Sequence, residues 1–227
     1  SFSCYAFEHP ENVYPEFVES PGVLQIKNMC HPLLDRNVAV GNNIELGPEM
    51  PLLLISGSNM SGKSTLLRGV GLNVVLAMCG VPVCAESARL SAFKVGATLS
   101  IHDSLMSGQS RFYAEISRIQ GLVNVSRSDE TLLFLIDEIL HGTNSFDRRK
   151  GARAILESIL NDGSVGFVTT HDLALAQMAD DWPDRATNMH LSDRLDGQAL
   201  VFDYRLKPGI VQQSNAIELM RSVGLPV

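Results

Sequence analysis

Three stretches of the chain are almost unbroken in apolar character: Pro51-Leu52-Leu53-Leu54-Ile55-Ser56, Thr131-Leu132-Leu133-Phe134-Leu135-Ile136 and Val165-Gly166-Phe167-Val168-Thr169-Thr170. A strand with one wet face alternates, so a short continuous run bounded by turn residues predicts a strand covered on both faces. Between the runs the apolar period lengthens to that of a helix. It does so from Lys63 to about Met78, from Arg111 to Val125 with Phe112, Ile116, Ile119 and Val123 on one side, and from Phe146 to about Leu160 with Ala152, Ile155, Leu156 and Ile159. Ser145 is placed to cap the last of these, which stops at Asn161-Asp162-Gly163. Shorter apolar pieces at Gly22 to Ile26 and Val38 to Leu46, set among Pro, Gly and Asn, predict edge strands. Gln198 to Leu206 alternates as a strand, and Asn215 to Val223 reads as a short terminal helix. Buried strands alternating with helices predict an α/β domain with a largely parallel central sheet, flanking helices and an antiparallel edge, and ligands held at the carboxyl ends of the strands.

The polar residues that close each buried run carry the candidate chemistry. After the first comes Gly57-Ser58-Asn59-Met60-Ser61-Gly62-Lys63-Ser64-Thr65, which satisfies the P-loop spacing and also its context of strand before and helix after. Glycines at 57 and 62 let backbone N–H groups curl around a phosphate, the helix start adds its positive end, Lys63 neutralises β and γ oxygens, and the Ser64 hydroxyl is placed to ligate Mg²⁺. The second run ends on Asp137-Glu138, the place for a carboxylate that holds Mg²⁺ and for one that orients or deprotonates a water. The third ends on His171, at the same sheet edge, where it can donate to a γ-phosphate; His102, His141 and His190 have weaker claims. A Ser- and Gly-rich turn, 103–110, opens the helix at Arg111 and offers N–H groups and a hydroxyl to an anion.

Composition narrows the partners. The 227 residues carry a formal charge of −7 and are 45% hydrophobic. That is enough for one large domain, and the wrong sign for a module that grips a phosphodiester backbone through its overall field. Any nucleic-acid contact is therefore local or made through other parts of a longer protein. Cys4, Cys30, Cys79 and Cys84 lack the close pairing of a zinc motif and read as mostly buried thiols of a reducing compartment. No apolar stretch reaches the roughly 20 residues a membrane span needs. The chain begins at Ser1 and reads as a cytoplasmic piece of something longer, with 1–21 a lead-in and 22–227 the domain.

The order of these motifs resembles that of ABC-type ATPases. The wording Gly57-x-Asn59-Met60-x-Gly62-Lys63-Ser64-Thr65, Asp137-Glu138-Ile139-x-x-Gly142-Thr143 and Thr169-Thr170-His171 resembles more narrowly the ATPase domain of the MutS family of DNA mismatch repair proteins. The resemblance runs from about residue 22 to the C-terminus and takes in His31-Pro32-Leu33-Leu34 and the stretch from Ser214 to Gly224-Leu225-Pro226. It implies a homodimer with composite ATP sites, in which Ser110 of one copy reaches the γ-phosphate held by the other. It further implies Ser64 and Asp137 as Mg²⁺ positions, Glu138 as the catalytic carboxylate, His171 as a switch, Asn59 within the loop, and DNA bound by other domains. The sequence departs from the family wording at Ser58, where Pro is usual, Ser61 (Gly), Arg111 (Thr) and His141 (Arg), and Ala39 stands where an aromatic residue stacks on adenine. Two other tasks share the motifs: a nucleotide-gated dimerisation module that does not hydrolyse, and an ABC-type motor serving another DNA or membrane process.

Overall fold

A computed structural model describes residues 2–99, 111–196, 199–211 and 221. Its elements, in chain order, begin with α1 (Phe2–Glu8), β1 (Glu16–Phe17), β2 (Leu24–Met29), β3 (Asn42–Leu46), β4 (Leu52–Gly57) and α2 (Lys63–Met78). Next come β5 (Ser87–Leu90), β6 (Lys94–Thr98), α3 (Arg111–Ser126), β7 (Leu132–Ile136), α4 (Ser145–Asn161) and β8 (Val165–Thr170). The chain continues through α5 (Leu173–Ala176), a 3-10 turn (Gln177–Asp181), β9 (Ala186–Asp196) and β10 (Ala199–Pro208). The expected helix at 215–223 lies outside the described residues apart from Arg221.

Six strands form one sheet in the order β10-β9-β4-β8-β7-β6, parallel throughout except for the antiparallel pairing of β10 with β9. This is the expected mixed α/β arrangement. The apolar runs become β4, β7 and β8, every residue of which is buried. Because side chains alternate across the pleat, each strand feeds two cores. Leu53, Ile55, Leu133, Leu135 and Phe167 face α2 and a second, four-stranded sheet ordered β1-β5-β2-β3. Leu52, Leu54, Leu132, Phe134, Ile136 and Val168 face α3, α4 and α5.

Several boundaries moved for local reasons. The chain from Asp35 to Ala39 is a turn whose N–H groups return to Asp35, so the strand expected from Val38 starts only at Asn42. Asn144, not Ser145, caps α4, its side chain accepting from Asp147 N at 2.9 Å. On α3 the buried face is Glu115, Ile119, Leu122 and Ser126, while Ile116 is exposed. The helix is turned by about one residue from the expected stripe, because Leu122 fills the space over Gly96 of β6, a strand the apolar pattern does not reveal. Of the four cysteines, Cys30 and Cys84 are buried and Cys4 and Cys79 are exposed.

Asn73, fully buried in α2, fastens that helix to the segments flanking β2 and β5 of the four-stranded sheet. Its amide donates to Cys30 O (2.9 Å) and Gly69 O (2.8 Å), and its oxygen accepts from Cys84 N (2.7 Å). Asn73→Ala strands a buried donor and a buried acceptor, and should lower unfolding free energy by about 2–4 kcal/mol in denaturant titration. A loss below about 0.5 kcal/mol, the range of a neutral surface change, would show that these bonds do not anchor the helix.

Candidate functional site

The loop between β4 and α2 is shaped to leave its donors facing outward. Gly62 adopts φ 98° and Met60 φ 73°, both left-handed. Gly62 is also the N-cap of α2, and no side chain caps the helix. The first-turn N–H groups and the positive helix end therefore point at the adjoining space. Lys63 is only 5% exposed, and its ammonium donates to Gly57 O (2.9 Å) and Ser58 O (2.8 Å). Burial lowers its pKa, and the pull of Glu138 and Asp137 opposes that without cancelling it. The hydroxyl oxygens of Ser58 and Ser61 are buried without a hydrogen-bond partner. A cation held off water, an uncapped helix start and two unsatisfied hydroxyls fit a polyanionic group.

Across from the loop stand the ends of β7 and β8. Since β8 lies between β4 and β7, its Thr169 reaches both. The Thr169 hydroxyl donates to Asp137 Oδ1 (2.6 Å) and accepts from Glu138 N (3.0 Å), fixing the acidic pair by one fully buried side chain. Asp137 N donates to Thr98 O at 3.0 Å. Beyond Asp137 the backbone turns sharply, with Glu138 at φ 56° and Leu140 at φ 53°, a left-handed conformation that costs a non-glycine residue about 1–3 kcal/mol. Ile139 and Leu140, both buried, hold the turn against the core. So does Arg148 of α4, which donates to Leu140 O (3.2 Å) and Thr143 O (3.0 Å) and pairs with Asp172 after β8 at 3.3 Å. The turn directs Glu138 between two histidines: Oε1 is 3.2 Å from His171 Nδ1 and Oε2 is 3.6 Å from His141 Nε2.

A cavity of about 410 Å³ lies between these walls, lined by Asn59, Met60, Gly62, Lys63, Ser64 and Thr65 on one side and Thr98, Glu115, Asp137, Glu138 and His141 on the other. Ser64 and Asp137 thus share one space. Gly57, Ser58 and Ser61 form the base of the loop, and His171 is reached through Glu138. Ser110 and His102 lie outside the described residues. His190 Nδ1 donates to Gly209 O at 3.1 Å, and His190 does not line this cavity. Sequence reasoning missed Thr169, Arg148 and Glu115 and underrated His141. Glu115 left a local trace, as a charged residue on the inward face of an otherwise apolar helix stripe, and Thr169 stood in the motif wording that ends at His171.

A second cavity, of about 320 Å³, adjoins the first through Met60, Gly62 and Thr65. Ala39 lines it, and so does an aromatic residue from the other side, Tyr204 of β10. The register of β10 slips between Phe202 and Leu206, and Tyr204 sits in the bulge at φ 53°. Asn42 holds that bulge, donating to Tyr204 O (2.9 Å) and accepting from Leu206 N (2.7 Å). The ring lies so close to Gly62 that a Cβ there would meet Tyr204 Cδ1 at 3.0 Å.

A phosphate loop on a parallel sheet edge, facing an acidic pair two strands away, is the organisation of P-loop ATPases. Residues 53–227 match the family described as MutS domain V, the ATPase domain of MutS proteins, and the chain belongs to that family. It is also similar to the protein called endonuclease MutS2 from Thermomicrobium roseum, 33% identical over 226 residues that cover 94% of this chain and 28% of that protein. The chain thus spans under a third of the relative's length. No helix among the described residues is long and apolar enough to cross a membrane.

Proposed function

We propose that the chain binds Mg·ATP in the 410 Å³ cavity and hydrolyses it, as the ABC-type motor of a longer MutS-like, DNA-processing protein. The observation that carries this is the shared cavity itself, with Lys63 and the open end of α2 on one wall and Asp137 and Glu138 on the other. Lys63 and the loop hold the phosphates, and Ser64 with Asp137 hold Mg²⁺. The bound ion offsets the negative charge that develops on the phosphate oxygens. Glu138, fixed at its backbone by Thr169, orients and deprotonates the attacking water; His171 keeps the carboxylate in place and reports the γ-phosphate. Ser110 of a second copy completes the site.

The adenine lies in the 320 Å³ cavity, on Tyr204. The loss of an aromatic at Ala39 leaves room on one side of that space, and the bulged Tyr204 supplies a ring on the other. The relative's name, an endonuclease, leaves DNA cleavage as well as mismatch repair open as the task that the hydrolysis drives.

Glu138→Gln should retain ATP binding while lowering turnover at least about 100-fold, the usual contribution of a positioned base. In the same phosphate-release assay, the wild-type specific activity should fall on dilution as composite sites separate. Undiminished hydrolysis in Glu138→Gln would refute the role of Glu138, and wild-type binding with no turnover would identify a nucleotide-gated module instead. Tyr204→Ala should weaken ATP about tenfold, since base stacking on an aromatic ring is worth about 1–3 kcal/mol, without changing the affinity for inorganic tripolyphosphate. Equal losses for both ligands would place the effect of Tyr204 in the loop and not on the base.

A further inference from the structure

Glu138, His141 and His171 form a cluster whose ligand atoms all lie within 4.8 Å of one another. The carboxylate uses a different oxygen for each ring, at 3.2 Å to His171 Nδ1 and 3.6 Å to His141 Nε2, and the two rings meet edge to face with centroids 5.2 Å apart. With metal–ligand distances of about 2.0–2.2 Å, tetrahedral zinc has ligand atoms about 3.3–3.6 Å apart. Each separation is close to such an edge, but the two start from different oxygens, so the carboxylate must turn to present one oxygen to both rings. The two imidazole nitrogens must also approach each other, and both rings are partly exposed, at 42% and 37% of the side chain, which leaves them room to turn.

The supports are in place as well. The left-handed Glu138 and Leu140 aim the carboxylate and His141 at the same point, Arg148 holds the carbonyls of Leu140, His141 and Thr143, and its pairing with Asp172 joins that turn to the end of β8 beside His171. A preformed backbone with anchored ligand-bearing segments is what separates a metal site from a surface cluster. The donor set of two imidazoles and one carboxylate suits a borderline divalent ion and leaves a fourth position open toward the 410 Å³ cavity.

We propose that Glu138, His141 and His171 bind a divalent transition ion of the zinc type, separate from the Mg²⁺ positions at Ser64 and Asp137. Zinc binding stands on this geometry alone. Its consequence rests on the reading of Glu138 given above: an occupied site withdraws the carboxylate from water activation, so zinc would hold the nucleotide-free protein in a state unable to hydrolyse.

The test is calorimetric titration of Zn²⁺ into the purified, nucleotide-free protein and its His141→Ala, His171→Ala and Glu138→Gln variants, each checked for cooperative thermal unfolding. The wild type should take up one zinc per chain. Removing even an outer partner of a metal ligand costs about 10–100-fold in affinity, so each variant should bind at least about 100-fold more weakly. No uptake by the wild type, or variants that bind as it does, would overturn the site. Should a variant fail to fold, the visible spectrum of the wild type with Co²⁺ decides. Intense tetrahedral bands without thiolate charge transfer support nitrogen and oxygen ligation, whereas thiolate bands would assign the metal to cysteine and overturn the proposal. Because no nucleotide is present, failure here leaves the ATPase reading untouched.

Discussion

The arrangement depends on keeping one ammonium group inside the protein before any ligand arrives. Lys63 is withdrawn from water and rests on the carbonyls of Gly57 and Ser58, with burial working against its charge. Carbonyl oxygens solvate an ammonium less well than water does, so the folded loop keeps a cation that an anion can better satisfy. Everything around it preserves that state. The left-handed Gly62 starts α2 without a side-chain cap, the buried strands β4, β8 and β7 fix where the opposite wall stands, and Thr169 binds the acidic pair to β8.

The opposite wall stores strain of its own. Glu138 and Leu140 both occupy the left-handed region, Glu138 held by its N–H bond to Thr169 and Leu140 by packing and by Arg148, not by an intrinsic preference. The same turn that lifts Glu138 toward the loop also gathers His141 and His171 around it. If Glu138 activates water as proposed, a carboxylate so surrounded has two competing uses, one toward water in the cavity and one toward its imidazole neighbours.

The legible parts of the sequence were those whose signal is local. β4, β7 and β8 announce themselves as apolar runs because both faces are covered, and the phosphate loop and the Asp137-Glu138 pair follow from what closes those runs. β5, β6 and β9 were not visible. β6 is an edge strand with a lysine and a glycine in five residues, and β9 is partly buried and polar along much of its length, so neither needs an apolar run. The stripe of α3 was misjudged by one residue because Leu122 answers to Gly96, a partner on that unseen strand. Tyr204 illustrates the same limit within the site. Its segment alternates like an ordinary strand, and only the bulge held by Asn42, more than a hundred residues away, turns the ring over Gly62.

The claim that Lys63 and its loop form a nucleotide site is tested most directly by nucleotide-linked thermal stability of the wild type and Lys63→Met. Saturating Mg·ATP at about 100 times its dissociation constant adds about 2.7 kcal/mol, which for a domain of this size raises Tm by about 5–10 °C. The wild type should show that rise and Lys63→Met almost none of it, with both proteins folded in the absence of nucleotide. An equal rise in the two proteins, or none in the wild type, would contradict the account.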